Sequence, residues 1–165
     1  MMLKRPQAHR SLRTDAEEAS RLCGGWNTRL AARRITRFLD AQMEETGLSI
    51  AQFGLMAQVA AVSDDTLGAL ALRTGMEQST LTRNLQALAR ESWVEIAVVE
   101  GNQRRRMVWL TETGANKLKD AMPVWRRAHQ ALAAALAPEL AQRLAVASEA
   151  LETLPGRRVR EAAGT

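Results

Sequence analysis

Apolar residues recur along this chain with two different periods, and the change of period marks its organisation. From Trp26 to about Glu45, the apolar side chains Trp26, Leu30, Ile35, Phe38, Leu39 and Met43 interleave with Arg29, Arg33, Arg34 and Arg37, which predicts an amphipathic helix with a basic face. Gly47 stops it. Ser49 with Gln52 three residues later forms a capping-box pattern, which starts a second helix carrying Phe53, Met56 and Val59. A turn at Ser63 to Asp65 follows. Thr66 then caps a short helix, LGALALRT, that Gly75 closes. From Glu77 to about Arg90, Leu81, Leu85 and Leu88 share one helical face, while Gln78, Ser79, Thr82, Arg83 and Gln86 lie toward the other.

After Trp93 the period drops from 3.6 to 2. Val94, Ile96 and Val98 alternate, Gly101-Asn102 is a turn signal, and Met107 to Leu110 returns, so a two-stranded hairpin is expected. A hairpin this small must pack on the helices before it. Two further helices follow. Leu118, Met122, Trp125, His129, Leu132 and Leu136 recur at steps of four and three, as do Leu140, Leu144, Ala147, Leu151 and Leu154. Pro123 inside the first predicts a kink or break, and Pro138 suits the first turn of the second. Two heptad seams in so short a chain imply a partner. Residues 1–19 and 155–165 show no sustained apolar period and are expected to form a flexible N-terminal arm and a flexible basic tail.

Composition narrows the function without fixing it. The chain has 165 residues, 46% hydrophobic and 25% charged, which suits one globular domain. Lys and Arg number 23 against 18 Asp and Glu, and the net charge of +5 is compatible with a polyanionic partner. Cys23 is the single cysteine, so no internal disulfide can form, and with only two histidines no structural zinc set is expected. No Gly-rich phosphate loop and no nucleophile with a base and orienter stand out, so neither a cofactor nor an enzyme is expected. No apolar run reaches the roughly 20 residues of a membrane span and no signal sequence opens the chain, which predicts a cytoplasmic protein without a membrane partner.

Two short helices joined by a Gly turn, the second with an amide, hydroxyl and guanidinium face, form a helix-turn-helix pattern, and the hairpin after it reads as a wing. Gln78, Ser79, Thr80, Thr82 and Arg83 are the candidate readers of a duplex: amide and guanidinium groups pair bidentately with base edges, and hydroxyls near a helix start suit phosphate. The other reading of that face is a merely solvated one. The wing EGNQRRRMVWL carries three successive arginines. Strand alternation separates them, with Arg104 the candidate for groove insertion, Arg105 for phosphate and Arg106 for internal pairing with an acid. His129 and the tryptophans Trp26, Trp109 and Trp125 are expected to pack rather than to bind a ligand.

The run from about Leu48 to Gly114, with LSIAQFGLM, TLGALALRTGMEQSTLTRNLQALARESWVE and EGNQRRRMVWLTETG, resembles the MarR family of winged-helix transcriptional regulators. The resemblance implies a mainly α fold. A single domain would span 20–154, with a winged helix-turn-helix lobe at 48–110 and N- and C-terminal dimerisation helices at 20–47 and 111–154. It implies a homodimer on a pseudo-palindromic double-stranded DNA operator, acting as a repressor released by a small aromatic or phenolic effector or by an oxidant. Arg29, Arg33 and Met56 are the candidate effector contacts. Cys23 stands where one branch of the family senses peroxides. Arg21 and Arg29 would favour a thiolate there, whereas the tyrosines of that branch are missing, and an inert thiol is the other reading.

Two departures from the family pattern matter. The wing slot that usually holds Asp-x-Arg reads Asn102-Gln103-Arg104, so an amide that supplies no charge replaces the carboxylate beside the arginine. Ser92 stands where glycine is common after the second helix. The modest charge and missing acid also allow a second class of function, a helical protein-interaction or anti-regulator module without DNA binding.

Overall fold

The computed structural model describes residues 10–62, 66–99, 102–137 and 139–152, with backbone alone at 10, 11, 99, 102–105 and 152. The predicted turns at Ser63 to Asp65 and at Gly101, the position of Pro138, and residues 1–9 and 153–165 of the arm and tail lie outside the described residues. In chain order the elements are α1 (Arg10–Leu22), α2 (Gly24–Met43), α3 (Ile50–Ala60), α4 (Leu67–Thr74), α5 (Gln78–Arg90), β1 (Val94–Val99), β2 (Asn102–Leu110), α6 (Glu112–Ala135) and α7 (Leu140–Glu149). Single 3-10 turns follow α2 and α7.

The local signals act where the sequence has them. Gly47 takes φ 64° after the turn that ends α2. Ser49 and Gln52 exchange both capping-box bonds at the start of α3, and Thr66 accepts from Ala69 N–H at 3.2 Å to start α4. Gly75 adopts the left-handed conformation that closes α4 and turns the chain into α5.

One core joins these elements. Phe53, Leu55, Met56 and Val59 of α3, Leu70 of α4, Leu81, Leu85 and Leu88 of α5, Val94 of β1, Val108 of β2, and Leu118 and Ala121 of α6 are all buried in it. The hairpin is antiparallel from Val94↔Leu110 to Val98↔Arg106, and an irregularity between Val98 and Val99 shifts the last pair to Val99↔Asn102. Its base is buried through Val94 and Val108, and Thr66 adds a bridge to Met107 on the outer side of β2. The wing is thereby anchored at its base.

Two expectations are corrected. The N-terminal segment is helical from Arg10 as α1, inside the stretch expected to be an arm. Its Ala, Glu, Leu and Arg content favours helix without a large apolar face, and Arg13 pairs with Glu17 one turn on at 3.1 Å. The second concerns Pro123, which does not break α6: the helix runs from Glu112 to Ala135 through it. Packing on both sides holds it together, with Ala121 buried before the proline and Trp125 stacked on Phe53 after it.

Candidate nucleic-acid interface

The α5 helix is built to show one face. Leu81 and Leu85 are fully buried and Leu88 nearly so, and this fixes the rotation of the helix against the core. The opposite side then carries Ser79, Arg83, Gln86 and Arg90, all exposed and recurring at steps of four, three and four. Gln78 and Thr80 are exposed on its flanks and Thr82 is half-buried, so the five predicted readers do not form one cluster. Gln86 and Arg90 complete the outward stripe and were not among the predicted contacts; the same spacing argument that picks Arg83 also picks them. At the helix start, Glu77 takes the cap position without a side-chain bond, so its side chain does not satisfy the first-turn amides.

A contact that the sequence does not announce ties α4 to α3. Arg73 of α4 forks onto the end of α3, with Nε donating to Gln58 Oε1 at 3.0 Å and Nη2 to the Gln58 carbonyl at 2.9 Å. The guanidinium therefore serves the frame of the lobe.

The exit of α5 is equally well defined. Ser92 takes φ 59°, the single non-glycine residue with positive φ among the described residues. Ser92 N–H donates to Ala89 O at 2.9 Å and Trp93 N–H to Leu88 O at 3.0 Å, the paired bonds of a Schellman turn with serine where glycine usually stands. Thr111, cap of α6, reaches back to this turn. Its hydroxyl donates to Ser92 O at 2.6 Å and accepts from Gly114 N–H at 3.0 Å, while its own N–H donates to Trp93 O at 3.1 Å.

In the wing, the backbones of Asn102, Arg104 and Arg105 belong to β2, and their side chains lie outside the described residues. Arg106 is exposed and makes no ion pair among the described residues, contrary to the expected internal pairing. Its cross-strand neighbour is Val98, which offers no carboxylate.

The predicted effector contacts are not brought together. Arg29 and Arg33 are exposed on α2, where Arg33 lies over the Trp26 ring at 5.7 Å and donates to Arg29 O at 3.3 Å. Met56 is instead 0% exposed in the core, because it faces inward from α3 between Phe53 and Val59. Two open grooves among the described residues lie elsewhere: one of about 680 Å³ runs along α1 past Leu12, Ala16 and Ser20, and one of about 500 Å³ lies between α2 and α6 beside Glu44, Glu45 and Arg127. Cys23 is exposed between α1 and α2, where its Sγ accepts from Trp26 N–H at 3.4 Å as the cap of α2.

Of the residues expected to pack, Trp125 does, stacked 5.6 Å from Phe53, and His129 lies 4.3 Å from it with Nδ1 3.1 Å from the Trp125 carbonyl. Trp26 and Trp109 are exposed instead, because neither faces the core. Among the described residues no three His, Cys, Asp or Glu side chains gather as a metal set, and no helix is long and apolar enough to cross a membrane.

Comparison with known proteins agrees with this geometry. The MarR family profile matches residues 46–106, the stretch that holds α3 to α5 and most of the wing. The M. tuberculosis transcriptional regulator MosR, solved in complex with DNA, is 30% identical over 79% of this chain and 96% of its own, with a TM-score of 0.71. An S. aureus MepR–DNA complex has a TM-score of 0.65 at 19% identity, over 79% of this chain and 98% of its own. Apo MarR from E. coli has a TM-score of 0.59 at 22% identity, over 78% of this chain and 94% of its own. The likeness to the last two is one of fold. A search of curated proteins finds no match.

Proposed function

The chain belongs to the MarR family of transcriptional regulators, and from that premise we propose that it is a sequence-specific DNA-binding repressor acting as a homodimer. A regulator of this family is not an enzyme. The observation that carries the reading is the outward stripe of α5: Ser79, Arg83, Gln86 and Arg90 on the side opposite Leu81, Leu85 and Leu88. A helix fits the major groove, about 12 Å wide, and Arg83 and Gln86 carry the groups that pair bidentately with guanine and adenine edges. Ser79, Gln78 and the free first-turn amides suit phosphate. Thr80 and Thr82 flank the stripe and would meet backbone rather than bases. Arg104 would enter the adjacent minor groove beside Asn102, and Arg105 would contact phosphate.

Release by an effector rests on fewer contacts. Arg29 and Arg33 beside Trp26 would attract an aromatic carboxylate, the ring packing on Trp26 and the carboxylate pairing with a guanidinium. An effector or oxidant acts here only by favouring a dimer whose recognition helices are wrongly spaced for half-sites one helical turn apart.

The test begins with duplexes enriched by the chain from a random pool, measured by fluorescence anisotropy at several salt concentrations. Arg83→Ala is expected to lose about 1–3 kcal/mol of discrimination at one base position, whereas Arg105→Ala weakens all duplexes alike and lowers the salt slope by about one. If the chain binds no duplex even at low salt, the reading fails and the protein-interaction module takes its place.

A further inference from the structure

We infer that Thr111 is a positioning residue that locks the recognition helix α5 to the helix α6, so that the two move as one body and set the half-site spacing the dimer accepts. This rests on the reading of the chain as a DNA-binding dimer and goes beyond it by assigning the joint. Four element ends meet at this point: the exit of α5, the start of β1, the end of β2 and the first turn of α6. The Thr111 hydroxyl is used twice, as donor to Ser92 O at 2.6 Å and as acceptor from Gly114 N–H at 3.0 Å. Its backbone N–H occupies Trp93 O. Around it, Gly114 is buried directly against the Trp93 carbonyl, where a Cβ would overlap the oxygen, and Lys117 Nζ lies 5.4 Å from the centre of the Trp93 ring.

The joint therefore leaves α6 little freedom to swing relative to the end of α5. The other end of α6 runs past α2, and its last turns extend beyond the buried core to the exposed α7. A displacement of the helical arm is thus delivered at Ser92, the left-handed turn on which α5 ends. The hydroxyl that makes this connection is an ordinary helix cap in its second bond.

The two bonds can be separated. Thr111→Asp keeps an acceptor for Gly114 N–H and so keeps the cap, but has no proton to give Ser92 O. Thr111→Ser keeps both. Each chain is tested on the duplex that wild type enriches from a random pool and on the same duplex with one base pair inserted between the half-sites. Wild type and Thr111→Ser are expected to prefer the enriched spacing by on the order of tenfold or more. In Thr111→Asp, confirmed folded and dimeric, that preference falls below about threefold while the enriched duplex is still bound. If Thr111→Asp does not fold, the same substitution in a Ser92→Gly background takes its place, since glycine relieves the turn and leaves the carbonyl at position 92 in place. Undiminished spacing preference in the folded variant, or a wild-type chain indifferent to the inserted pair, overturns the inference. Failure of the wild type to enrich any duplex overturns the DNA-binding reading instead.

Discussion

Gly114 and Trp93 are in backbone contact, with the α6 glycine so close to the Trp93 carbonyl that a Cβ would overlap its oxygen and stand 2.9 Å from its Cα. Within a helix, glycine to alanine ordinarily stabilises by about 1 kcal/mol. Here the sign reverses. Gly114→Ala must push the first turn of α6 off the turn that ends α5, and is expected to lose about 1–3 kcal/mol in urea unfolding. Gly68, in α4 with open space around its Cβ position, is the control: Gly68→Ala should gain roughly 0.5–1 kcal/mol. Equal effects at the two sites would remove the close approach from the account of this joint.

Ser92 stores the opposite kind of imbalance. Its φ of 59° costs a residue with a Cβ about 1–2 kcal/mol, and glycine in its place adds roughly 0.5–1 kcal/mol of unfolded-state entropy. Ser92→Gly should therefore stabilise the fold by up to about 1 kcal/mol, read as a higher denaturation midpoint with an unchanged slope. A loss of stability would show that the serine side chain contributes something to the turn that its backbone bonds do not.

How far the sequence reaches can be judged residue by residue. Ser49 with Gln52, Thr66 and Gly75 act at short range, so the spacing alone predicts their bonds and the elements they bound. Leu81, Leu85 and Leu88 give the face of α5 because a helix has one period, and Val94 onward gives the hairpin because a strand has another. Depth is another matter. Periodicity puts Met56 on a face but does not say that the face is sealed, and Met56 is in the core rather than in a cleft. Contacts between elements are silent too: Arg73 to Gln58, Thr111 to Ser92 and Gly114 to Trp93 join residues 15, 19 and 21 positions apart that only the folded chain brings together. Pro123 shows the converse, a local signal for a kink or break that does not end α6.

Cys23 offers a direct test of oxidant release. It is exposed and caps α2 through Sγ, so Cys23→Ser keeps an acceptor for Trp26 N–H and should leave stability unchanged or raise it by up to about 1 kcal/mol. If oxidation of this thiol signals, peroxide lowers duplex binding by the wild type and leaves the serine variant unaffected. Equal loss in both chains assigns the oxidant's effect to another residue, and no loss in either restricts release to a small-molecule effector.

The last prediction concerns α7, none of whose apolar side chains is buried. Leu144 is 50% exposed and Val146 58%. In the homodimer proposed above, Leu144 on its heptad seam is covered by the second copy of the chain, with Val146 beside it. A buried leucine contributes about 1.5–3 kcal/mol, and a twofold dimer contains each position twice. Leu144→Glu is therefore expected to weaken dimerisation by about 3–6 kcal/mol, roughly two to four orders of magnitude in Kd, measured by sedimentation at micromolar concentration. The lobe should still unfold cooperatively, because its core is formed by α3 to α6 with Met43 and Leu48 and contains no residue of α7. Binding to a duplex with two half-sites should fall with the dimer while binding to one half-site does not, since linking two sites is what raises the affinity of the pair. A Leu144→Glu chain that stays dimeric would move the interface away from α7.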